Sequence, residues 1–291
     1  MSYRIVTDTS ANLPTPLVRQ EQIQVIPLSY HIDGQEYTCL DTEKFDPQTY
    51  YDRMKRGEKI TTSQINPQKY TEYTEPILKA GEDILFIGMS SGISGSLASG
   101  AIAREQLLED YPDRTIRIVD SLGASMGEGL LVLRAIECRK QGMSLDETAD
   151  LLIKEREKVC QIFTVDDLHH LRRGGRLSNA AAIVGTLLHI KPVLKGNEAG
   201  QIVSVEKHRG RKAVIARLAE RYAQLAVAPK DHVTAISHCA CPEDAEKMAQ
   251  LLRENGAGEI LIVPHEPVTG SYLGPGALAL YFIGDENVRL A

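Results

Sequence analysis

Residues Ile84 to Ser99 read ILFIGMSSGISGSLAS. Within them Gly88-Met89-Ser90-Ser91-Gly92 matches the G-x-S-x-G box of a serine hydrolase, where an apolar strand delivers a nucleophile onto a sharp turn. The same residues also form a hydroxyl- and glycine-rich loop between a strand and a helix. Such a loop can hold a carboxylate or phosphate without reacting with it. Spacing separates the two readings. A nucleophile elbow needs its helix at once after the serine, whereas here glycine and serine run on through Gly95-Ser96. His265 and Asp231 would complete the chain order Ser…Asp…His, so an esterase built on Ser90 is the alternative. No HGGG-like oxyanion loop precedes the box, and no catalytic residue is assigned.

Other chemistries fit less well. The opening "VTDTSAN" has Ser10 where an aspartate-nucleophile phosphatase needs a second aspartate. The P-loop lysine pattern and the dinucleotide glycine fingerprint are absent. His238-Cys239-Ala240-Cys241 offers soft ligands at a spacing that matches no standard zinc site, and His169-His170 stands alone, so no metal is assigned. Polar residues do gather where strands give way to loops, at Asp8-Thr9-Ser10, Thr61-Thr62-Ser63-Gln64, Ser90 to Ser96 and Asp120-Ser121. If the strands are parallel, all four loops open onto one rim, where hydroxyls and helix N-termini make an anion site. The competing explanation is plain helix capping, which favours the same residue types. The density of Thr61–Gln64 and Ser90–Ser96 tips the balance toward a site.

Basic residues collect in two places. Arg172, Arg173 and Arg176 surround the double glycine of "LRRGGRLSN", ahead of a helix that is apolar almost all round. Lys207, Arg209, Arg211 and Lys212 crowd "EKHRGRKA". Guanidinium forks on such turns suit an anionic group or a partner protein.

The elements that must position these residues alternate along the chain. Candidate strands at Arg4–Asp8, Gln24–His31, Asp83–Met89 and Thr115–Asp120 are separated by helical patterns near Pro47–Arg56, Pro67–Lys79, Ser96–Glu109 and Ala124–Gln141. Asp33-Gly34 reads as a hairpin turn. A capped helix from Ser144 leads to a second series, with strands Gln161–Val165, Ile202–Lys207, His232–Ser237 and Glu259–Pro264 and helices near Arg211–Ala226 and Pro242–Asn255. The order predicts two α/β domains, 1–157 and 158–291, with mostly parallel sheets. The 291 residues, with 43% hydrophobic and 25% charged, are ordinary for a globular protein of two domains. A net charge of -6 argues against nucleic acid as the main partner. No apolar run approaches the roughly 18 residues of a membrane span, and no apolar signal segment opens the sequence. Five cysteines without a C-x-x-C pair suggest reduced thiols and the cytoplasm.

Taken in order, "IVTDTSANLP", "TTSQINP", "SSGISGS", "VDSLGAS", "LRRGGRLS", "GTLLHIKPVL", "HRGRKA" and "GPGALALYF" resemble the DegV family of bacterial proteins, lipid-binding subunits of fatty acid kinase. The resemblance spans nearly the whole chain. It implies a lipid tunnel between two α/β domains that encloses one long-chain fatty acid (C14–C18), with no cofactor and no stable membrane insertion. It also implies that the carboxylate is held by Thr62 and Ser94, with Gly95 contributing backbone and Ser63 and Gln64 nearby. A separate kinase subunit would phosphorylate that carboxylate for phospholipid metabolism, docking on Arg172, Arg173, Arg176, Arg209 and Arg211. A lipid-sensing regulatory role is the third reading. In "TGSYLGPGA", Tyr272 stands where the family often has histidine; a phenol donates a hydrogen bond but supplies no positive charge.

Overall fold

The computed structural model describes residues 3–178 and 190–290. The apolar helix expected after Ser178 falls outside them. The chain divides into two compact units, Met1–Phe45 with Ile60–Arg156, and Asp46–Lys59 with Glu157–Ala291.

In the first unit, strands β1 (Tyr3–Asp8), β2 (Gln24–Ile26), β6 (Asp83–Gly88) and β7 (Ile116–Asp120) form one sheet in the order β2-β1-β6-β7. All three pairings are parallel. Every residue of β6 and all but one of β1 are buried, as strands covered on both faces require. The covering helices are α1 (Thr15–Gln20), α3 (Pro67–Lys79), α4 (Ser96–Asp110), α5 (Met126–Lys140) and α6 (Leu145–Glu155). Their starts follow from local chemistry. Asn66 accepts the Lys69 N–H at 2.8 Å ahead of Pro67, whose missing N–H costs nothing at that position. Ser144 and Glu147 form a reciprocal capping box on α6.

The stretch predicted as one strand, Gln24–His31, is two. After β2 the chain breaks at Pro27-Leu28, and β3 (Ser29–Ile32) joins a separate antiparallel sheet in the order β4-β3-β5 with β4 (Gln35–Thr38) and β5 (Ile60–Ser63). Pro27 has no N–H for a ladder, and the Leu28 N–H is taken by the Thr9 hydroxyl at 3.0 Å. Asp33 (φ 53°) and Gly34 (φ 78°) make the expected two-residue turn between β3 and β4.

The second unit holds six strands in the order β10-β9-β8-β13-β11-β12: β8 (Val159–Thr164), β9 (Ile190–Gly196), β10 (Ile202–Arg209), β11 (Thr234–His238), β12 (Ile260–Pro264) and β13 (Leu278–Ile283). Here the expectation of parallel strands fails. Among the described residues four of the five pairings are antiparallel, and β11 with β12 is the parallel one. The short turn between β9 and β10 can join neighbours in no other way, and the C-terminal strand β13 inserts between β8 and β11. Helices α8 (Arg211–Leu225) and α9 (Pro242–Glu254) pack over a core in which Tyr222 meets Phe282 edge to face at 5.0 Å. No helix of the described residues is long and apolar enough to cross a membrane.

Helix α2 (Pro47–Lys55), placed in the first domain by its position in the sequence, packs within the second unit. Its buried tyrosines explain why. A buried phenol needs an acceptor; Tyr50 donates to the Pro267 carbonyl at 2.6 Å and Tyr51 to the His265 carbonyl at 2.9 Å. Both carbonyls lie at the start of α10 (Pro267–Leu273). A Cβ on Gly270 would fall 2.0 Å from the Tyr51 hydroxyl oxygen. Gly270→Ala is therefore expected to cost about 1–3 kcal/mol by overpacking, read as a lower urea midpoint; an unchanged midpoint would contradict this docking.

Candidate functional site

Strands β1, β6 and β7 are parallel and end at Asp8, Gly88 and Asp120, so their loops emerge at one edge of the sheet. Those loops are tied to one another. Asp8 accepts the N–H groups of Ser10 at 2.8 Å and Met89 at 3.3 Å. Ser90 N–H donates to the Gly123 carbonyl at 2.8 Å, and Ser121 N–H to Gly88 at 3.1 Å. The Ser91 hydroxyl donates to Asp120 at 2.5 Å, and the other Asp120 oxygen accepts Leu122 N–H at 2.9 Å. Asn12, Leu122 and Ser125 adopt left-handed backbone (φ 56°, 53° and 52°), and the Asn12 amide donates to the Ser125 hydroxyl at 3.2 Å. Left-handed non-glycine residues cost energy and gather where function holds them.

The fourth hydroxyl-rich segment reaches the same place from the small sheet. Sequence pattern alone gives Thr61–Gln64 as a loop; the chain forms β5 there, with Thr62 opposite Tyr30. Beyond β5 the Ile65 N–H donates to the Ser96 hydroxyl at 3.2 Å. The Ser94 hydroxyl meets the Ser96 hydroxyl at 3.1 Å and accepts the Ser96 N–H at 3.2 Å. Gln64 lies against Gly95 so closely that a Cβ there would sit 2.5 Å from Oε1. The structure thus brings the Thr62–Gln64 and Ser94–Ser96 segments together at the start of α4. Gly95 has no side chain to cap the 15-residue helix α4; the Ser94 hydroxyl takes the Ser96 N–H, and the positive helix end faces these hydroxyls. Neighbouring residues on a strand point to opposite faces, and the Ser63 hydroxyl is engaged by His31 Nε2 at 2.9 Å. Ser96, which links both segments, is the member that sequence spacing alone reads as a helix start.

The hydrolase geometry is not formed. Ser90 is fully buried, its hydroxyl accepts the Gly92 N–H at 3.1 Å, and α4 begins six residues later at Ser96. His265 has Ser237 Oγ at 2.7 Å from Nδ1 and Thr269 Oγ1 at 2.8 Å from Nε2, so both ring nitrogens are engaged within the second unit. Burial, assisted by His238, pushes its pKa down to about 3. Desolvation also raises the Cys239 thiol well above its ordinary value and Cys241 to about 11. No group of three or more metal-ligating side chains occurs among the described residues.

Tyr272 lies in the last turn of α10 in the second unit. Its ring lies against Gly174, where a Cβ would fall 2.3 Å from Cδ1, and the Arg176 guanidinium stacks over it at 4.7 Å. The arginines grouped by sequence separate by environment. Arg172 and Arg173 on α7 (His169–Arg173) and Arg209 at the end of β10 are exposed. Arg211 is drawn inward, onto Asp244 at 2.8 Å and Asp166 at 3.7 Å.

Fold and rim define an α/β protein with hydroxyl and amide groups gathered at one edge of a parallel sheet. The chain belongs to the DegV family: the model of that family, described as an uncharacterised protein, matches residues 2–285. A DegV domain-containing protein of Clostridium perfringens is 40% identical over 284 residues, covering 97% of this chain and 98% of the relative. A DegV family structure from Thermus thermophilus, described by its fatty acid binding, superimposes with a TM-score of 0.88 at 28% identity over 98% of this chain and 100% of that one. One from Ruminococcus gnavus, described with vaccenic acid, gives 0.87 at 26% identity over 97% and 99%.

The buried His265 fixes a pH dependence. Its folded pKa lies below the ordinary value of about 6.5, so the unfolded chain binds the extra proton and stability falls as pH drops from about 6.5 toward 3. The His265 ring nitrogens are expected to keep the NMR shifts of a neutral imidazole down to about pH 5; titration near the ordinary value would contradict this environment.

Proposed function

We propose that the chain binds one long-chain fatty acid, C14–C18, in an apolar tunnel and presents its carboxylate to a separate fatty acid kinase subunit for phosphorylation to acyl phosphate. Catalysis belongs to that partner. The observation that carries this reading is the meeting of Thr62–Gln64 with Ser94–Ser96 at the positive end of α4. Thr62 and Ser94 hold the carboxylate with their hydroxyls, and Gly95 adds its backbone. Support comes from the Thermus thermophilus relative of known structure, which is described by its fatty acid binding.

The energetics divide the work between tail and head. Burying a methylene yields about 0.8 kcal/mol, so a tail of on the order of fourteen yields roughly 11 kcal/mol before the costs of association. A hydrogen bond to a charged group adds about 1.5–3 kcal/mol. The tail supplies affinity, and the hydroxyls decide which end sits at the rim. Neutral donors hold the carboxylate without a tight ion pair, which leaves an oxygen free for phosphoryl transfer. Exposed Arg172, Arg173 and Arg209 are the cations available for docking the kinase subunit. Five free cysteines accord with a cytoplasmic role in phospholipid metabolism.

Thr62→Ala and Ser94→Ala are each expected to weaken palmitate binding about 10- to 100-fold with the fold intact, measured by displacement of a fluorescent fatty acid. Unchanged affinity in both variants would overturn the assignment. Fatty acid kinase catalytic subunit with ATP is expected to yield acyl phosphate, trapped as hydroxamate, only when this protein is present; equal yield without it would remove the presenting role.

A further inference from the structure

Beneath the rim lies a pair of buried carboxyl groups that the binding reading does not use. Glu128 stands in the first turn of α5 and is 0% exposed; Asp8, at the end of β1, is 1% exposed. The Glu128 oxygens meet the hydroxyls of Thr7, at 2.7 Å, and Ser10. Asp8 takes a backbone N–H on each oxygen, from Ser10 and Met89, with the Ser10 hydroxyl also against it, and its own N–H faces Glu128. Among the described residues no Lys, Arg or His forms an ion pair or hydrogen bond with either carboxyl. The titratable group that faces both from another element is the phenol of Tyr70 on α3, itself buried and without a hydrogen-bond partner.

Two adjacent carboxylates without a cation do not both stay ionised in a buried site. Their partners decide which one keeps the proton. Backbone N–H groups can donate and nothing else, which favours the charged form of Asp8. Glu128 has one backbone N–H against the two of Asp8, and its remaining partners are hydroxyls, which donate or accept, so Thr7 and Ser10 serve a neutral Glu128 equally well. We propose that Glu128 is held as the neutral acid and that this proton lets anionic Asp8 pin the Met89 N–H, making Glu128 a positioning residue whose proton sets the shape of the Ser90–Gly95 loop. Burial first, and then the Asp8 charge, raise the Glu128 carboxyl well above the ordinary range; burial raises Asp8 as well, against the N–H groups of Ser10 and Met89 and the Ser10 hydroxyl, which lower it. Because the folded value is raised, the stabilisation is full below the ordinary glutamate range and is lost as pH climbs through the raised value. Loss of the proton sets two charges against each other at the root of the loop, and the Met89 bond to Asp8 is the contact exposed to that repulsion. The consequence for fatty acid affinity rests on the reading given under Proposed function; the proton itself does not.

Infrared spectra of the full chain at neutral pH are expected to show the C=O band of a buried protonated carboxyl, lost in Glu128→Gln and kept in Thr62→Ala. Absence of the band, or its survival in Glu128→Gln, overturns the proposal. Without any lipid, the amide resonances of Met89 and Ser90–Gly95 should shift as pH is raised from the ordinary glutamate range into alkali in the natural protein and stay fixed in Glu128→Gln; equal shifts in both, or none in the natural protein, overturn the link to the loop. Palmitate titrations over the same range should show affinity falling about tenfold with rising pH in the natural protein, with that slope removed by Glu128→Gln. A protein that shows the band and the shifts but takes up no palmitate leaves this proposal standing and removes the binding reading instead.

Discussion

Three parallel strands that end side by side create a debt of unpaired backbone groups, and satisfying it shapes everything at that edge of the first unit. The peptide groups of the loops beyond β1, β6 and β7 sit in or near a dry interior, where an unmade hydrogen bond costs about 1–3 kcal/mol. Asp8 reaches Met89, Asp120 reaches Ser91 and Leu122, and Ser94 and Ser96 reach each other and Ile65. The loops thereby become a rigid frame. Side chains of this kind satisfy the backbone and also present donors, so capping and the anion binding proposed above draw on one arrangement.

That arrangement explains why a hydrolase-like sequence box does not form a nucleophile elbow here. A nucleophilic serine must stand exposed on a tight turn with a base in reach. Ser90 instead turns inward to support its own loop, and His265 is kept neutral between Ser237 and Thr269. In the second unit the same buried network anchors α10, which carries Tyr272 under the Arg176 guanidinium. The two arginines on α7 remain in solvent while Arg211 is spent on Asp244 and Asp166. Charge counted along a sequence overstates the charge available to a partner.

Much of the first unit was legible in the sequence. Apolar runs bounded by Asp and Gly marked β1, β6 and β7, and Asn66-Pro67 and Ser144 marked helix starts to the residue. What stayed hidden depends on contacts distant in sequence. Nothing in the run Gln24–His31 shows that Thr9 takes the Leu28 N–H and so permits the break between two sheets. The pair Tyr50-Tyr51 reads as part of an amphipathic helix until the carbonyls at 265 and 267 appear. Among the described residues, two of the four antiparallel pairings in the second unit involve β13, a strand whose partners lie far upstream. At the site, hydroxyl-rich segments were visible as composition, whereas Ser96 as the link between them, and Glu128 beneath them, required the folded chain. An acid in a first helical turn ordinarily signals no more than a dipole partner.

The central claim is that the frame of hydroxyls and amides steadies the acidic end of a hydrocarbon chain. Native mass spectrometry of the purified protein, followed by dissociation and identification of what leaves it, tests this most directly. The account predicts close to one equivalent of a C14–C18 fatty acid per chain. A protein that carries none, and stays unliganded after incubation with palmitate, would contradict it.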